Sequence, residues 1–436
     1  MIKNLRGNPW LWIPTLYFAE GIPYFIVNNI SVVMFTKMGM SNGNMALITS
    51  LLYLPWALKP LWSPVVDIFR TKRFWIVAMQ ALMACLFVLS ALSLPSPGDM
   101  QMASRSVPVS SFIFTLILFE LTAFASATHD IAADGFYMIG LDRGSQSFFV
   151  GIRSTFYRLS SIFGQGVIVV IAGVLESRTG DIPTAWRLTI AFTAVLFAAV
   201  TLWHTFMLPK PEQDKAVSGE SPYMEFLSAF VSFFKKPGVI AAVAFMLLYR
   251  LPEALLLKMV QPFLLSSTAE GGLALSTATV GIVYGTIGVV ALIIGGIAGG
   301  MWASRKGLGK SLWPMAAMLA LPCAVFVYMA YSHADNLWII STFIAIEQFG
   351  YGFGFTAYML FMMYFSEGSF KTSHYAICTA FMALSMMLPG MVAGYIQEQI
   401  GYPKFFLVVM LCCLATFVAV RLVRVPEDYG RKNKID

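Results

Sequence analysis

Apolar stretches long enough to cross a lipid bilayer recur along almost the whole chain, and they constrain the fold more than any other feature. A transmembrane helix needs about 20 predominantly apolar residues. This measure predicts twelve spans, which cover residues 9–36, 44–64, 74–94, 110–138, 147–175, 188–207, 238–265, 277–302, 312–331, 337–364, 375–396 and 405–425. The expected fold class is therefore all-α integral membrane.

The composition agrees with a lipid environment. Of the 436 residues, 58% are hydrophobic and 12% are charged, whereas soluble domains carry about 25% charged residues. The formal net charge of +7 does not come from basic runs with interleaved aromatic residues, so nucleic acid is not an expected partner. The five cysteines lie in apolar stretches without C-x-x-C spacing, which implies no disulfide framework and no metal site. No nucleotide-binding motif is found, so no cofactor is expected.

Lysine and arginine residues are distributed unequally between the loops on the two sides. Outside the spans, the side opposite to the termini carries only Lys37, Arg105, Arg178, Arg187 and Lys404. Because positively charged loops stay in the cytoplasm, this bias predicts that both termini are cytoplasmic. A miscounted span would scramble the pattern, so the bias also supports the count of twelve.

The only long cytoplasmic connection divides the predicted spans into two sets of six. We expect an N-terminal six-helix bundle over residues 1–208, a linker over 209–237, a C-terminal six-helix bundle over 238–425 and a cytoplasmic tail over 426–436. The second part of the linker is rich in Phe and has few charges, which predicts an interfacial helix. This layout is typical of a two-bundle transporter that binds its substrate near the membrane midplane.

Ionisable residues inside the predicted spans are costly to bury and usually serve a function. The sequence places six acids and five bases there, a near balance that favours internal pairing. They are Glu20, Lys59, Glu120, Asp130, Asp134, Arg153, Arg158, Arg250, Glu253, Lys258 and Glu347.

Asp130 and Asp134 are four residues apart and therefore share a helix face. Two neighbouring carboxylates repel each other, so either one of them retains a proton or each binds a different base. We favour the second alternative, in which the two acids belong to a cytoplasmic gate. The residues of this expected gate are Asp67, Arg70, Asp130, Asp134 and Arg153.

Other intramembrane charges are candidates for substrate binding and proton coupling. Arg250 and Glu253 are three residues apart, so they form either a structural salt bridge or a binding and coupling pair. Glu20 adjoins Gly21 and Pro23, where a helix can bend, and Glu347 precedes a glycine-rich stretch. The coupling candidates are Glu20, Glu253 and Glu347. The substrate-binding candidates are Arg158, Arg250, Glu20 and Glu347.

Two basic loops occupy matching places in the two halves of the chain. Residues 63–73 keep an acid, Asp67, with a basic cluster, whereas residues 300–310 keep glycines but have Ser304 at the acidic position. Both resemble degenerate forms of the G-x-x-x-D-R-x-G-R-R loop signature of the major facilitator superfamily. This resemblance implies the major facilitator fold, in which spans 1, 4, 7 and 10 line the cavity. Most of the intramembrane acids lie on those spans.

Several further segments resemble the AmpG-type muropeptide permeases of that superfamily and the related acetyl-CoA transporters. The most specific is the paired-aspartate segment 125–136, and in segment 248–253 Arg250 and Glu253 stand where the family pattern has Lys and Asp. The other segments are 57–67, 157–159, 356–365, 371–376 and 390–394. The resemblance covers nearly the whole chain. It implies proton-driven uptake of peptidoglycan fragments built on N-acetylglucosamine-anhydro-N-acetylmuramic acid.

The expected function is therefore a proton-coupled symporter, and not an enzyme, in the inner membrane. It would import a sugar-based anionic solute, foremost a muropeptide, and would act as a monomer with protons, solute and bilayer as its partners. The alternatives are a transporter of another acidic sugar, of acyl-CoA or of a drug-like solute, including efflux, and a transport-dead membrane sensor. Mid-membrane arginines suit any of these anions.

Overall fold

The computed structural model describes residues 7–95, 107–141, 143–212, 214–215, 222–368 and 370–431. Arg105 and residues 432–436 of the predicted tail lie outside this range, as does the side chain of Asp67. All regular structure in the described residues is helical. By their mutual contacts, the residues form two compact units, 1–40 with 58–224 and 41–57 with 225–436.

The first unit is built mainly from long helices, some of which continue through short π-helical turns. The helices are α1 (Pro9–Phe25), α2 (Ser31–Lys37), α4 (Leu54–Ile68, shared at its start with the second unit), α5 (Lys72–Ser93), α6 (Ile113–Gly140), α7 (Arg143–Ile162), α8 (Val169–Thr179) and α9 (Ile182–Met207). The π turns Ile26–Ile30 and Phe163–Ile168 connect α1 to α2 and α7 to α8. Such turns change the direction of a helix without ending it.

The second unit has the same construction and adds one helix from the first half of the sequence. Its helices are α3 (Asn42–Leu51), α10 (Pro222–Phe234), α11 (Val239–Leu248), α12 (Leu251–Leu265), α13 (Thr277–Ile282), α14 (Val289–Lys306), α15 (Leu308–Ala320), α16 (Ala324–Ser332), α17 (Leu337–Phe365) and α18 (Lys371–Leu422). The 52-residue α18 is two helices joined at Gly401, whose φ of 75° is non-helical. The positive φ favours glycine at this junction.

The outer surface of these helices is suited to lipid. Nine helices of the described chain are long and apolar enough to cross a membrane. Large apolar side chains such as Phe114, Val195, Ile240 and Leu411 are exposed, as expected where lipid replaces water as the solvent. The fold is therefore a polytopic all-helical membrane fold, and the count of twelve spans and the placement of both termini remain predictions.

Helix α3 packs within the second unit, although the sequence pattern groups its residues with the first six spans. The side-chain nitrogen of Asn42, Nδ2, donates to Gln397 Oε1 at 2.7 Å and to Tyr402 Oη at 3.0 Å. The backbone N–H of Gly43 donates to Glu398 Oε1 at 2.8 Å, so a carboxylate on α18 caps the N-terminus of α3. The predicted division into two bundles remains a proposal.

The predicted linker contains helix α10. Its residues Ala229 and Phe233 are buried, while Leu227, Val231 and Phe234 are exposed. The hydroxyl of Ser232 on this helix lies 2.8 Å from His374 Nε2, which ties α10 to the start of α18. A helix with one face packed on protein and a second apolar face exposed suits the membrane interface, and its location there remains a prediction.

Candidate proton and substrate site

Two half-buried ion pairs lie side by side in the first unit. Lys59 on α4 pairs with Asp130 on α6, and Arg153 Nη2 on α7 lies 2.8 Å from Asp134 Oδ1. The four-residue spacing on α6 puts both acids on one face, and each acid meets a cation from a different helix. Of the predicted gate, Asp130, Asp134 and Arg153 are therefore brought together, and Lys59 joins them.

Glu20 on α1 adds a third carboxyl to this group. Its side chain is 7% exposed and lies within hydrogen-bonding reach of the Asp130 carboxyl. Its Oε2 atom is buried with no hydrogen-bond partner in the described part of the chain. Two carboxyls this close bind a proton between them more readily than they carry two negative charges. A single proton on this pair would therefore remove the repulsion between Glu20 and Asp130.

Tyrosine side chains close the cluster around Arg153. The Tyr17 hydroxyl donates to Asp134 Oδ1 at 3.3 Å. The Arg153 guanidinium lies 4.5 Å from the Tyr17 ring centroid and 5.0 Å from that of Tyr137. Aromatic faces stabilise a cation at such distances. These contacts fix Arg153 between the rings and the Asp134 carboxylate.

A close approach of α1 to α7 positions Glu20. A Cβ atom at Gly21 would lie only 1.9 Å from Ser160 Oγ. Only glycine therefore allows the two helices to approach this closely. The sequence marks Gly21 as a place where the helix can bend, and the structure shows that it permits this contact beside Glu20.

The formal charges of this cluster do not balance. It holds three carboxyls, Glu20, Asp130 and Asp134, and two cations, Lys59 and Arg153. One negative charge would remain uncompensated if all three acids were ionised. Such a charge beside the buried Glu20 carboxyl is costly, and one bound proton removes it.

The second unit contains a closed ion pair at a break in its first span. Helix α11 ends at Leu248 and α12 begins at Leu251, and Arg250 lies between them. Its Nε and Nη2 atoms each donate to one oxygen of Glu253 at 2.9 Å. Nη2 also donates to Tyr351 Oη at 2.9 Å. This two-pronged geometry is the strongest form of an arginine–carboxylate pair.

Glu347 on α17 is a buried acid of a different kind. Its side chain is 3% exposed, and its Oε2 accepts a hydrogen bond of 2.9 Å from Gln348 Nε2. Within the described residues no lysine or arginine pairs with it, and Glu253 is the charged group nearby. A buried carboxylate without a cation is costly, so Glu347 is a natural place for a proton.

The remaining candidate residues are not joined to these groups. Arg158 on α7 is half-buried, and it forms no ion pair with any described carboxylate. Arg70 is exposed between α4 and α5, where its guanidinium lies 5.7 Å from the Phe74 ring centroid. The side chain of Asp67 lies outside the described residues. The gate role of Asp67 and Arg70 thus remains a prediction.

Sequence reasoning missed a buried hydrogen-bond chain across four helices of the first unit. The Thr15 hydroxyl lies 2.9 Å from His204 Nε2, His204 Nδ1 lies 3.0 Å from Gln80 Oε1, and Gln80 Nε2 lies 2.9 Å from His129 Nε2. His129 precedes Asp130, so this chain helps to fix the part of α6 that bears the acids. The only sequence signal was a set of polar residues in apolar spans.

Solved structures with the same fold are membrane transporters. The nucleoside transporter NupG matches with a TM-score of 0.69 at 15% identity, covering 96% of this chain and 100% of that one. A D-xylose–proton symporter matches with a TM-score of 0.66 at 12% identity, covering 97% and 99%. At such low identities the likeness shows the fold. The chain thus has the helical membrane fold that these transporters share.

The family follows from the sequence itself. The model of the Major Facilitator Superfamily matches residues 13–374, and the chain belongs to that superfamily. It is a transporter and not an enzyme. The putative transporter AmpG 4 of Rickettsia conorii is 25% identical over 93% of this chain and 94% of its own length. The anhydromuropeptide permease of Escherichia coli K12 is 22% identical over 96% and 80%. The predicted resemblance to AmpG-like permeases is thereby confirmed.

Proposed function

We propose that the protein imports a sugar-based anionic solute, foremost an anhydro-muropeptide, together with protons across the bacterial inner membrane by alternating access. The substrate class is supported by relatives that match nearly the whole chain and are named anhydromuropeptide permease or putative AmpG transporters. The observation that carries the coupling is the excess carboxyl of the first-unit cluster.

The proton is assigned to the Glu20–Asp130 pair. With the proton bound, the cluster of the first unit is neutral and both ion pairs stay intact. When the proton leaves, Glu20 and Asp130 repel each other and compete for Lys59, so the ion pairs must rearrange. If the protein changes conformation at this step, the side of the membrane to which the substrate site is open changes with it. Proton movement is thereby coupled to transport. Glu347 is the second candidate proton site, whereas Glu253 is held by Arg250.

The anionic solute is assigned to Arg158 and Arg250, with Glu20 and Glu347 as further binding groups. Arg158 forms no ion pair with a described carboxylate, so its guanidinium is available to a substrate anion. The bonds from Arg250 to Glu253 use Nε and Nη2 and leave Nη1 for the substrate. Arginine binds carboxylates and phosphates through two parallel hydrogen bonds, which suits a muropeptide carboxylate.

The gate on the cytoplasmic side is assigned to the ion pairs on α6. Asp130 with Lys59 and Asp134 with Arg153 join α6 to α4 and α7. These pairs are half-buried, and separating such partners is unfavourable unless both find new ones. Such pairs therefore act as two-state contacts, and the gate switches when they exchange partners. Asp67 and Arg70 are proposed to extend this gate in the loop after α4.

The test is uptake of labelled N-acetylglucosamine-anhydro-N-acetylmuramic acid into proteoliposomes, with and without an inward proton gradient. Gradient-dependent accumulation is expected, and vesicles without protein serve as the control. Accumulation that ignores the gradient would remove the proton coupling. Absence of uptake by folded, inserted protein would remove the muropeptide assignment, and acidic sugars and acyl-CoA would then be tested on the same vesicles. Binding without uptake would favour a sensor.

A further inference from the structure

Lys258 on α12 is a buried cation that the proposed mechanism does not use. Its side chain is 3% exposed, and Nζ donates to Thr49 Oγ1 on α3 at 3.1 Å. The ammonium lies 5.1 Å from the centroid of the Tyr53 ring. All three residues belong to the second unit.

No carboxylate of the described chain lies within ion-pairing distance of Lys258. A lysine ammonium has three donor hydrogens, and the described residues accept one hydrogen bond from it. A buried ammonium in this condition either gives up its proton or is stabilised by an anion that joins it. Arg250 on the same helical span differs, because Glu253 already neutralises it.

A second unused donor lies next to Lys258. The Ser50 hydroxyl is buried without a hydrogen-bond partner among the described residues. A Cβ atom at Gly390 on α18 would lie 2.4 Å from Ser50 Oγ and 3.2 Å from Lys258 Cε. The hydroxyl and the lysine stem therefore flank the same glycine, and the missing side chain keeps that position open for both of them.

Thr49 orients the ammonium and does not bind the anion itself. Its hydroxyl donates to the Met45 carbonyl oxygen at 2.8 Å and accepts from Lys258, so its single hydrogen is already used. Thr49 and Ser50 lie in the last turn of α3, just before the break at residues 52–53 that separates α3 from α4. Transporters commonly bind ions and substrates at such interrupted helices.

We propose that Lys258 and Ser50, with Thr49 positioning the ammonium, form a subsite for a carboxylate of the transported solute. The inference rests on the proposed function, in which the solute is an anionic sugar derivative. One ammonium and one hydroxyl can together donate to both oxygens of a carboxylate. The subsite thereby adds an acid-specific contact to the single one that Arg250 Nη1 can provide while Nε and Nη2 are bound to Glu253.

The test compares the binding of an acid with that of its uncharged methyl ester. Binding of N-acetylglucosamine-anhydro-N-acetylmuramic acid and of its methyl ester is measured by calorimetry on the purified full chain in detergent. The wild type is expected to prefer the acid. Lys258→Met keeps the length of the side chain, removes an unpaired buried charge and should therefore fold. It is expected to weaken binding of the acid roughly 10- to 100-fold and to leave binding of the ester unchanged.

Three further variants separate the roles of the subsite residues. Ser50→Ala is expected to weaken acid binding by less than Lys258→Met does, and Lys258→Arg to retain part of the preference. Gly390→Ala crowds Ser50 and Lys258 without changing any charge, and it should also reduce acid binding. Lys404→Met removes an exposed ammonium and is the matched control, for which no change is expected.

The outcomes distinguish this inference from the proposed function. Equal losses of acid and ester in Lys258→Met, or no loss of either, would overturn the subsite while leaving muropeptide transport intact. If the wild type binds neither ligand, the muropeptide assignment is wrong, and glucuronate with glucose becomes the probe pair, followed by acetyl-CoA with its dephosphorylated form. The subsite would be overturned if the wild type bound each of these anions no more tightly than the neutral or less charged compound paired with it.

Discussion

The two units bury their charges in different ways. In the first unit, Glu20, Asp130 and Asp134 share the two cations Lys59 and Arg153 within one cluster. In the second unit, Arg250 and Glu253 form a closed pair, while Glu347 and Lys258 each lack a charged partner among the described residues. The first arrangement is pooled, and the second is divided between one satisfied pair and two single charges.

This difference indicates which groups can exchange ions with the solution. A pooled cluster can gain or lose one proton and redistribute its ion pairs. A closed bidentate pair cannot lose a charge without stranding its partner. A single buried charge is relieved at Glu347 by a proton that binds, and at Lys258 by loss of its proton or by an anion that binds. The closed pair is therefore the group least able to exchange a proton, with Arg250 Nη1 left for the solute, and the other groups are the exchange sites.

The largest decrease in the free energy of unfolding is expected for a variant that tests whether Arg250 and Glu253 form a closed pair. Arg250→Met strands the Glu253 carboxylate at a position that is 2% exposed, so it should lower the free energy of unfolding by about 3–5 kcal/mol. The double variant Arg250→Met/Glu253→Leu removes both charges and should recover most of that loss. Chemical unfolding in mixed micelles measures both variants. A double variant as unstable as the single one would show that the pair is not self-contained.

A smaller decrease in the free energy of unfolding is expected when the cluster of the first unit loses a cation. Lys59→Met leaves Arg153 in place and allows a second proton to neutralise Asp130, so the cost should be about 1–3 kcal/mol. The loss should grow as the pH rises, because that second proton becomes harder to bind. Lys59→Met/Asp130→Asn is the matched control and should lose this pH dependence. A decrease in the free energy of unfolding as large as that of Arg250→Met would contradict the idea that the acids of this cluster share their cations.

The closed pair could be predicted from sequence more fully than the pooled cluster. The three-residue spacing of Arg250 and Glu253 is local and fixes a shared helix face. For Asp130 and Asp134 the spacing predicts the shared face, and the predicted gate includes Arg153. The predicted gate does not include Lys59, because the rotation and depth of α4 against α6 depend on packing across the whole unit.

Long-range packing also explains what was missed in the second span. The sequence predicts one helix over 44–64, whereas the structure has α3 ending at Leu51 and α4 beginning at Leu54. The signal was present in Pro55, since proline clashes with the preceding turn of a helix. Nothing in the linear pattern indicates that Thr49 and Ser50 meet Lys258, which is about 200 residues away.

A functional prediction sharpens the comparison further. Glu20→Gln cannot release a proton, so gradient-driven accumulation should be lost while exchange of labelled for unlabelled solute persists. For one proton per solute, each pH unit contributes about 1.4 kcal/mol, so a tenfold accumulation at a gradient of one pH unit should fall to equal concentrations. Glu120→Gln, on α6 but without a described ion-pair partner, is the control and should accumulate normally. If Glu347→Gln abolishes accumulation and Glu20→Gln does not, the coupling belongs to the second unit.

The smallest effect is expected from a charge pair at the surface. Lys310 Nζ lies 3.0 Å from Glu427 Oε2, with side chains 56% and 75% exposed. Lys310→Met removes the same ammonium group as Lys59→Met, but water and salt already screen it, so the loss should be about 0–1 kcal/mol and should shrink further at high ionic strength. The tail stays attached, because the Leu308 N–H still donates to the Tyr429 carbonyl oxygen at 2.8 Å.

The two lysine variants thus differ in burial and in the acids around them. Equal losses in both would mean that the interior of the first unit is as well hydrated as the surface, and the proton would then have no reason to reside on Glu20.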